Sequence, residues 1–182
     1  MNNVLKSINP FNGKRIETHS LMKAKDVLQS INDSQSAFAK WSVFTIGERI
    51  KYVESLIEIL KENKKSLSSL ITDEMGKVLK ESRAEIEKCI WLCEFYANNS
   101  EKFLKSKRKY YNNFESKISY QPLGIILGIM PWNFPFWQVF RFAIPTLISG
   151  NTVLLKHASN VQSCSKKIED LFITAGFPSR TF

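Results

Sequence analysis

Residues Gln121 to Lys156 constrain this chain more than any other stretch. They run Gln121-Pro122-Leu123-Gly124, then the apolar segment Ile125–Met130, then Pro131-Trp132-Asn133-Phe134-Pro135. A longer apolar segment follows, and then Gly150-Asn151-Thr152-Val153-Leu154-Leu155-Lys156. Apolar runs of about 4–8 residues bounded by Gly, Pro and Asn read as strands, and the longer run between them reads as a helix. Strand, crossover helix, strand is a βαβ unit, with parallel strands and a right-handed crossover. Neither Ile125–Met130 nor Thr152–Leu155 alternates polar with apolar residues. That predicts a sheet covered on both faces.

In open sheets built from such units, ligands meet the carboxyl ends of the strands. The sequence places Pro131, Trp132 and Asn133 after the first strand, and Lys156, His157, Ala158 and Ser159 after the second. Asn133 brings an amide that can donate to a carbonyl oxygen or an oxyanion. Lys156 brings a point charge suited to hydroxyls or phosphate. Ser159 adds a short hydroxyl. Two ordinary turns use much the same residue types. The flanking prolines and the pairing of two strand ends point instead to a site.

Leu123-Gly124, Pro131-Trp132-Asn133-Phe134-Pro135, Gly150-Asn151-Thr152-Val153 and Lys156, in that order and spacing, resemble the aldehyde dehydrogenase superfamily. The resemblance implies a nicotinamide-dependent oxidation of an aldehyde to the acid. By it, Asn133 matches the oxyanion-hole asparagine, and Trp132 matches the residue beside the cofactor. Lys156 matches the lysine that holds the adenosine ribose or its phosphate. The cofactor-binding positions so implied are Ile129, Met130, Pro131, Trp132, Asn133, Lys156, His157, Ala158 and Ser159; no metal is implied. Glu74-Met75-Gly76-Lys77 resembles the succinate-semialdehyde dehydrogenase branch, which favours succinate semialdehyde as the substrate.

Two residues depart from the family pattern. His157 stands where the family commonly has Pro, and Arg180 stands near a position that tends to Gly. Ser159 occupies a position where many NAD-preferring members carry Glu. A carboxylate there accepts from the ribose 2′-hydroxyl and repels a 2′-phosphate. Ser159 and Lys156, with His157 as a further donor, therefore imply NADP over NAD.

The expected architecture is α/β: a helical N-terminal region, a β-hairpin arm, and the first βαβ unit of a Rossmann-like parallel sheet. Residues 1–109 form the helical part of a cofactor-binding domain, 110–122 the arm, and 123–182 a truncated βαβα unit. Residues 1–20 read as extended, with Pro10 and Gly13 around a turn. Val27, Ile31, Ala37, Phe38 and Trp41 carry the spacing of one buried helix face. Thr45 with Glu48 gives a capping box, followed by one helix through Leu60 and a further one over Lys65–Met75, ended by Gly76. A long helix follows over Val78–Phe103, in which Trp91 and Tyr96 read as core. Asn112-Asn113 sits between β-formers in the arm, and a last helix spans Gln162–Ala175 before Gly176. In the resembling family the arm meets a neighbouring subunit, so its aromatics read as interface.

Composition narrows the function classes. The 26 Lys and Arg against 17 Asp and Glu give +9, which permits anionic partners. The densest cluster, Lys102, Lys105, Lys107, Arg108 and Lys109, lies beside Tyr110 and Tyr111. Elsewhere the charges are spread, so a solvated surface is the reading and nucleic acid is set aside. No apolar run reaches the roughly 18 residues of a membrane span. Met1-Asn2-Asn3-Val4 lacks the layout of a signal peptide, and a cytoplasmic location is the default expectation. Three Cys, an odd count, argue against a disulfide framework. Cys89 and Cys93 share a helix face as buried thiols.

The implied chemistry needs a thiolate that attacks the aldehyde and a Glu that activates water. In full-length members of the resembling family both lie beyond the position of Phe182. Gln162-Ser163-Cys164 is superficially similar to the family's Gln-x-Cys, but Val161 stands where Gly belongs and no base is evident. Cys164 is therefore not expected to be the nucleophile. Three readings stay open at this level. The chain is an aldehyde dehydrogenase part, completed by a complementary C-terminal chain or assembled as a homo-oligomer through the 110–122 arm. Alternatively it is a non-catalytic relic or interaction fragment of that family. The last is a basic binding module.

Overall fold

The computed structural model describes residues 4–182. The chain opens with an antiparallel hairpin, β1 (Val4–Ile8) and β2 (Arg15–Ser20). Three helices follow: α1 (Ala24–Trp41), α2 (Ile46–Met75) and α3 (Leu79–Leu104). A second hairpin, β3 (Lys107–Tyr111) and β4 (Phe114–Ile118), projects next. Then come β5 (Ile125–Met130), α4 (Trp137–Ile148), β6 (Thr152–His157) and α5 (Gln162–Thr174). β5 and β6 pair in parallel, Ile125 against Thr152 through Met130 against His157. The α/β architecture and its βαβ unit thus agree with the sequence.

Local chemistry explains the helix limits. The Glu48 amide donates to Thr45 Oγ1 at 3.2 Å, and the Thr45 amide donates to Glu48 Oε2 at 2.7 Å. This reciprocal capping box starts α2. The sequence predicts a break before Lys65, yet α2 runs unbroken for 30 residues. Asn63 donates to the Ile59 carbonyl, Ser66 to Asn63 and Ser68 to Lys64. These polar side chains bond back onto their own helix, and no Gly or Pro interrupts it. The buried stripe Val53, Leu56, Leu60, Leu67 and Ile71 continues across the seam. Gly76, at φ +82°, ends the helix in the left-handed region.

The core lies among α2, α3, α4 and α5. Trp41, fully buried, closes one end of it and donates Nε1–H to the Leu147 carbonyl at 2.9 Å. α4 approaches β5 at Gly128, where an added Cβ would lie 2.4 Å from Phe142 Cε1. The alternate residues on β5, Leu127 and Ile129, are 59% and 69% exposed. The expected two-sided cover is therefore corrected: α4 packs on the Gly128 side, while on the other side α1 meets only the Ile125–Thr152 end and leaves Leu127 and Ile129 exposed. Val27 and Ile31 on α1 are likewise exposed, because that helix turns only Ser34, Ala37 and Trp41 fully inward. Trp91 is 57% exposed and stacks on Phe95 rather than entering the core.

The arm begins at Lys107, three residues before the boundary read at 110, and every residue of its two strands is exposed. With no buried face, Lys107-Arg108-Lys109 carries no apolar alternation to mark a strand start. Asn112, at φ +52°, makes the turn. No helix among the described residues is long and apolar enough to cross a membrane.

Gly76→Ala is expected to destabilise the chain by about 1–3 kcal/mol, because the residue is left-handed and the new Cβ would meet Pro10 Cγ at 2.8 Å. Urea unfolding checks this; an unchanged midpoint would refute the packing account.

Candidate functional site

The parallel register sets the geometry at the carboxyl end of the sheet. Ile129 lies beside Lys156, and Met130 beside His157. The loops that leave these positions, 131–136 and 158–161, therefore start side by side. Pro131, Trp132 and Asn133 are exposed on the first loop, and none of the hydrogen bonds among the described residues uses the Asn133 amide. Lys156 and Ser159 are exposed on the second, with Ala158 half-buried.

Neither loop is held by its own side chains. α4 has no side-chain cap of its own; the Phe136 and Trp137 amides donate to Glu85 Oε1, at 2.9 and 3.0 Å. Glu85 comes from α3 and is buried beside Lys77, whose Nζ donates to Oε2 at 2.5 Å. The same Lys77 Nζ sits 3.6 Å from the centroid of the Phe134 ring, next to Asn133. One buried ion pair thus grips the Asn133 loop by two amides and one aromatic face.

α5 is capped in the same manner. The Ser163 and Cys164 amides donate to Glu74 Oε1 and Oε2, both at 2.7 Å. Ser7 Oγ from β1 also donates to Glu74. His19 Nε2 lies 3.1 Å from Ser7 Oγ and 3.2 Å from Ser163 Oγ. A carboxylate at a helix N-terminus satisfies orphan amides and meets the positive end of the helix dipole. The turn 158–161 is thereby fixed from beneath.

His157 is 4% exposed. Its Nε2 lies 2.8 Å from the Pro135 carbonyl, and its Nδ1 accepts from the Ala158 amide at 2.8 Å. Burial, the leading cause, pushes its pKa below the usual histidine range; the Pro135 contact and Glu74 act in the opposite direction. Its ring is committed on both nitrogens, so the expectation that His157 donates to a cofactor phosphate is corrected. A ring at the inward-facing last position of β6 points to the loop beside it, not to solvent.

Lys156 does face open space. It lines a groove of about 850 Å³ bounded by β2, α1, α5 and the β5–β6 pair. Ile125, Leu127 and Leu155 form the apolar floor, and Glu17, Glu169, Lys166 and Arg180 supply charge. Asn133, Trp132 and Ser159 lie outside this groove. The structure joins the two strand ends, but it does not gather all the implied residues into one cavity. Cys164 is buried, and desolvation followed by the nearby Glu74 raises its thiol pKa well above the usual range. That is the environment of an inert thiol.

Glu74, Lys77 and Glu85 were not candidates from sequence. Their signal was present, however. Glu85 shares a helix face with the buried Cys89 and Leu92, and Glu74 shares one with Leu67 and Ile71. A carboxylate on an apolar stripe has a buried partner to satisfy.

This chain belongs to the aldehyde dehydrogenase family, whose sequence profile matches residues 1–182. A probable NADP(+)-dependent succinate-semialdehyde dehydrogenase of Synechocystis is 40% identical over 176 residues, covering 97% of this chain and 39% of the relative. The NAD(P)+ succinate semialdehyde dehydrogenase Sad of Escherichia coli is 36% identical, with 97% and 38% covered. The crystal structure of succinic semialdehyde dehydrogenase from Streptococcus pyogenes with NADP+ superposes with a TM-score of 0.93 at 26% identity. It is matched over 97% of this chain and 39% of that one. The chain therefore spans about two-fifths of the length of these relatives.

Glu85→Ala strands a buried Lys77 and two amides, and is expected to cost about 3–5 kcal/mol in urea unfolding. Lys77→Met with Glu85→Leu should recover only part of that, because the Phe136 and Trp137 amides stay unpartnered. Full recovery by the double variant would show that Glu85 does not cap α4.

Proposed function

We propose that this chain supplies the oxyanion donor and part of the cofactor pocket of an NADP-preferring succinate-semialdehyde dehydrogenase. The chain turns over no aldehyde until the rest of that fold is supplied. The observation that carries the reading is the parallel register, which sets the Asn133 loop and the Lys156–Ser159 turn side by side.

The donor set suits a phosphorylated dinucleotide. Lys156 offers an exposed ammonium on the groove rim, Ser159 an exposed hydroxyl, and Ile125, Leu127 and Leu155 an apolar surface below. No carboxylate stands at 159 to repel a 2′-phosphate. With the cofactor bound, its nicotinamide would supply the hydride acceptor for aldehyde oxidation. Asn133 donates its amide to the aldehyde oxygen as that oxygen gains charge, the usual work of an oxyanion donor. Lys156 pairs with phosphate as a point charge, and Ser159 donates to a phosphate oxygen. The loop grip by Glu85 and Lys77 serves the same end, since an oxyanion donor works only when its position is set in advance.

The buried Cys164 does not serve as the nucleophile in this reading. Incubation of the chain alone with succinate semialdehyde and either nicotinamide is expected to give no cofactor reduction. Joining residues 1–182 to the remainder of the Synechocystis relative should give an active hybrid that prefers NADP. In that hybrid Ser159→Glu is expected to lower the NADP-to-NAD ratio of kcat/KM by about tenfold or more, through like-charge repulsion. An unchanged ratio would remove Ser159 as the selector. Turnover by the chain alone that vanishes in Cys164→Ala would overturn the assignment of that thiol as inert.

A further inference from the structure

His157 occupies a position where the resembling family commonly has Pro, whose one ring nitrogen is the backbone amide nitrogen and offers neither a donor nor a side-chain acceptor. Here the ring spans the end of the sheet. It touches the Ala158 amide on its own turn and the Pro135 carbonyl on the loop that leaves β5. Those two contacts specify its state. An amide N–H can only donate, so Nδ1 is the bare acceptor. A carbonyl can only accept, so Nε2 carries the proton. The neutral Nε2–H ring is the one form that satisfies both partners at 4% exposure.

We propose that His157 is a positioning residue that locks the Asn133 loop to the Lys156–Ser159 turn while its ring is neutral, and releases them when the ring takes up a proton. The proposal rests on the function above only for what the two loops carry. A proton from solvent adds to Nδ1, the nitrogen that accepts from Ala158. Two donors then face each other, and the Ala158 amide loses its partner inside the protein. Either the turn moves to rehydrate that amide, or the ring swings and gives up Pro135. Both outcomes uncouple the two loops.

The charged groups around the ring set the balance. Glu74 from α2 and Glu85 from α3 favour the protonated ring, and Lys156 on β6 opposes it. Burial exceeds all of these and favours the neutral ring. The sign for stability follows. An unfolded histidine binds its proton near pH 6.5, about its ordinary value. The folded ring binds it only at lower pH. Between those points the unfolded state holds more protons, so the stability that this ring contributes is present above about pH 6.5 and is lost as pH falls through the folded value.

The chain has two histidines, so isotope-labelled histidine rings give two sets of signals in magnetic resonance, and His19→Gln assigns them. Near neutral pH, His157 is expected to show one neutral tautomer with its proton on Nε2, and the Ala158 amide is expected to exchange slowly. On acidification the ring should titrate below about 6.5, the ordinary histidine value. The Asn133 side-chain amide and the Ser159 backbone amide should shift with the same midpoint. His157→Gln keeps one donor and one acceptor at the position. It should hold the neutral-pH signals of Asn133 and Ser159 in place and abolish their acid shift. A proton on Nδ1, or a ring titration that leaves Asn133 and Ser159 unmoved, would overturn the proposal. So would an acid shift that persists in His157→Gln. Because these signals need no turnover, an inactive hybrid enzyme would leave the lock intact as a finding. A failed lock would likewise leave the hybrid's cofactor ratio to be judged alone.

Discussion

Two buried carboxylates hold the loops at the carboxyl end of the parallel strand pair. Glu85 reaches from α3 to the first amides of α4, and Glu74 from α2 to the first amides of α5. Each helix begins where a strand-end loop finishes. The long helical pair is therefore more than a cover for the core. It anchors both loops, and the sheet needs only two strands to set the loops in register. A buried carboxylate is tolerated here because each one accepts several N–H or O–H donors, which offsets the loss of water. Lys77 completes the arrangement by neutralising Glu85 and lying against the Phe134 ring.

Much of this was legible in the chain. The βαβ unit was readable because Gly, Pro and Asn bracket two short apolar runs, and the capping box of Thr45 and Glu48 and the stop at Gly76 are local signals. What failed did so for physical reasons. The break expected before Lys65 does not form: Asn63 and Ser66 bond to their own helix, and Lys64 bonds across to Glu87 of α3. Leu127 and Ile129 read as buried because strand composition cannot tell a covered face from an open one. The family likeness supplied Asn133 and Lys156. It gave no sign that His157 turns its ring to Pro135, since that partner is 22 residues away in sequence and adjacent only across the sheet.

The open side of β5, the exposed Val27 and Ile31 of α1 and the apolar floor of the groove belong to one surface. That surface forms the floor and wall of the groove of about 850 Å³ beside Lys156. The implied site residues surround the strand ends without closing over a single cavity.

The contacts around Glu74 also carry a consequence for the order of assembly. Ser7 Oγ meets Ser163 Oγ across 156 positions of chain, with Glu74 and His19 between them. A chain growing from its N-terminus exposes Ser7, His19 and Glu74 without their final partner until residue 163 has been added. The first hairpin is thus sealed by the last helix. β1 and β2 therefore depend on α5, far along the chain, for contacts that shield them from exchange, proteolysis or pairing with a neighbouring chain.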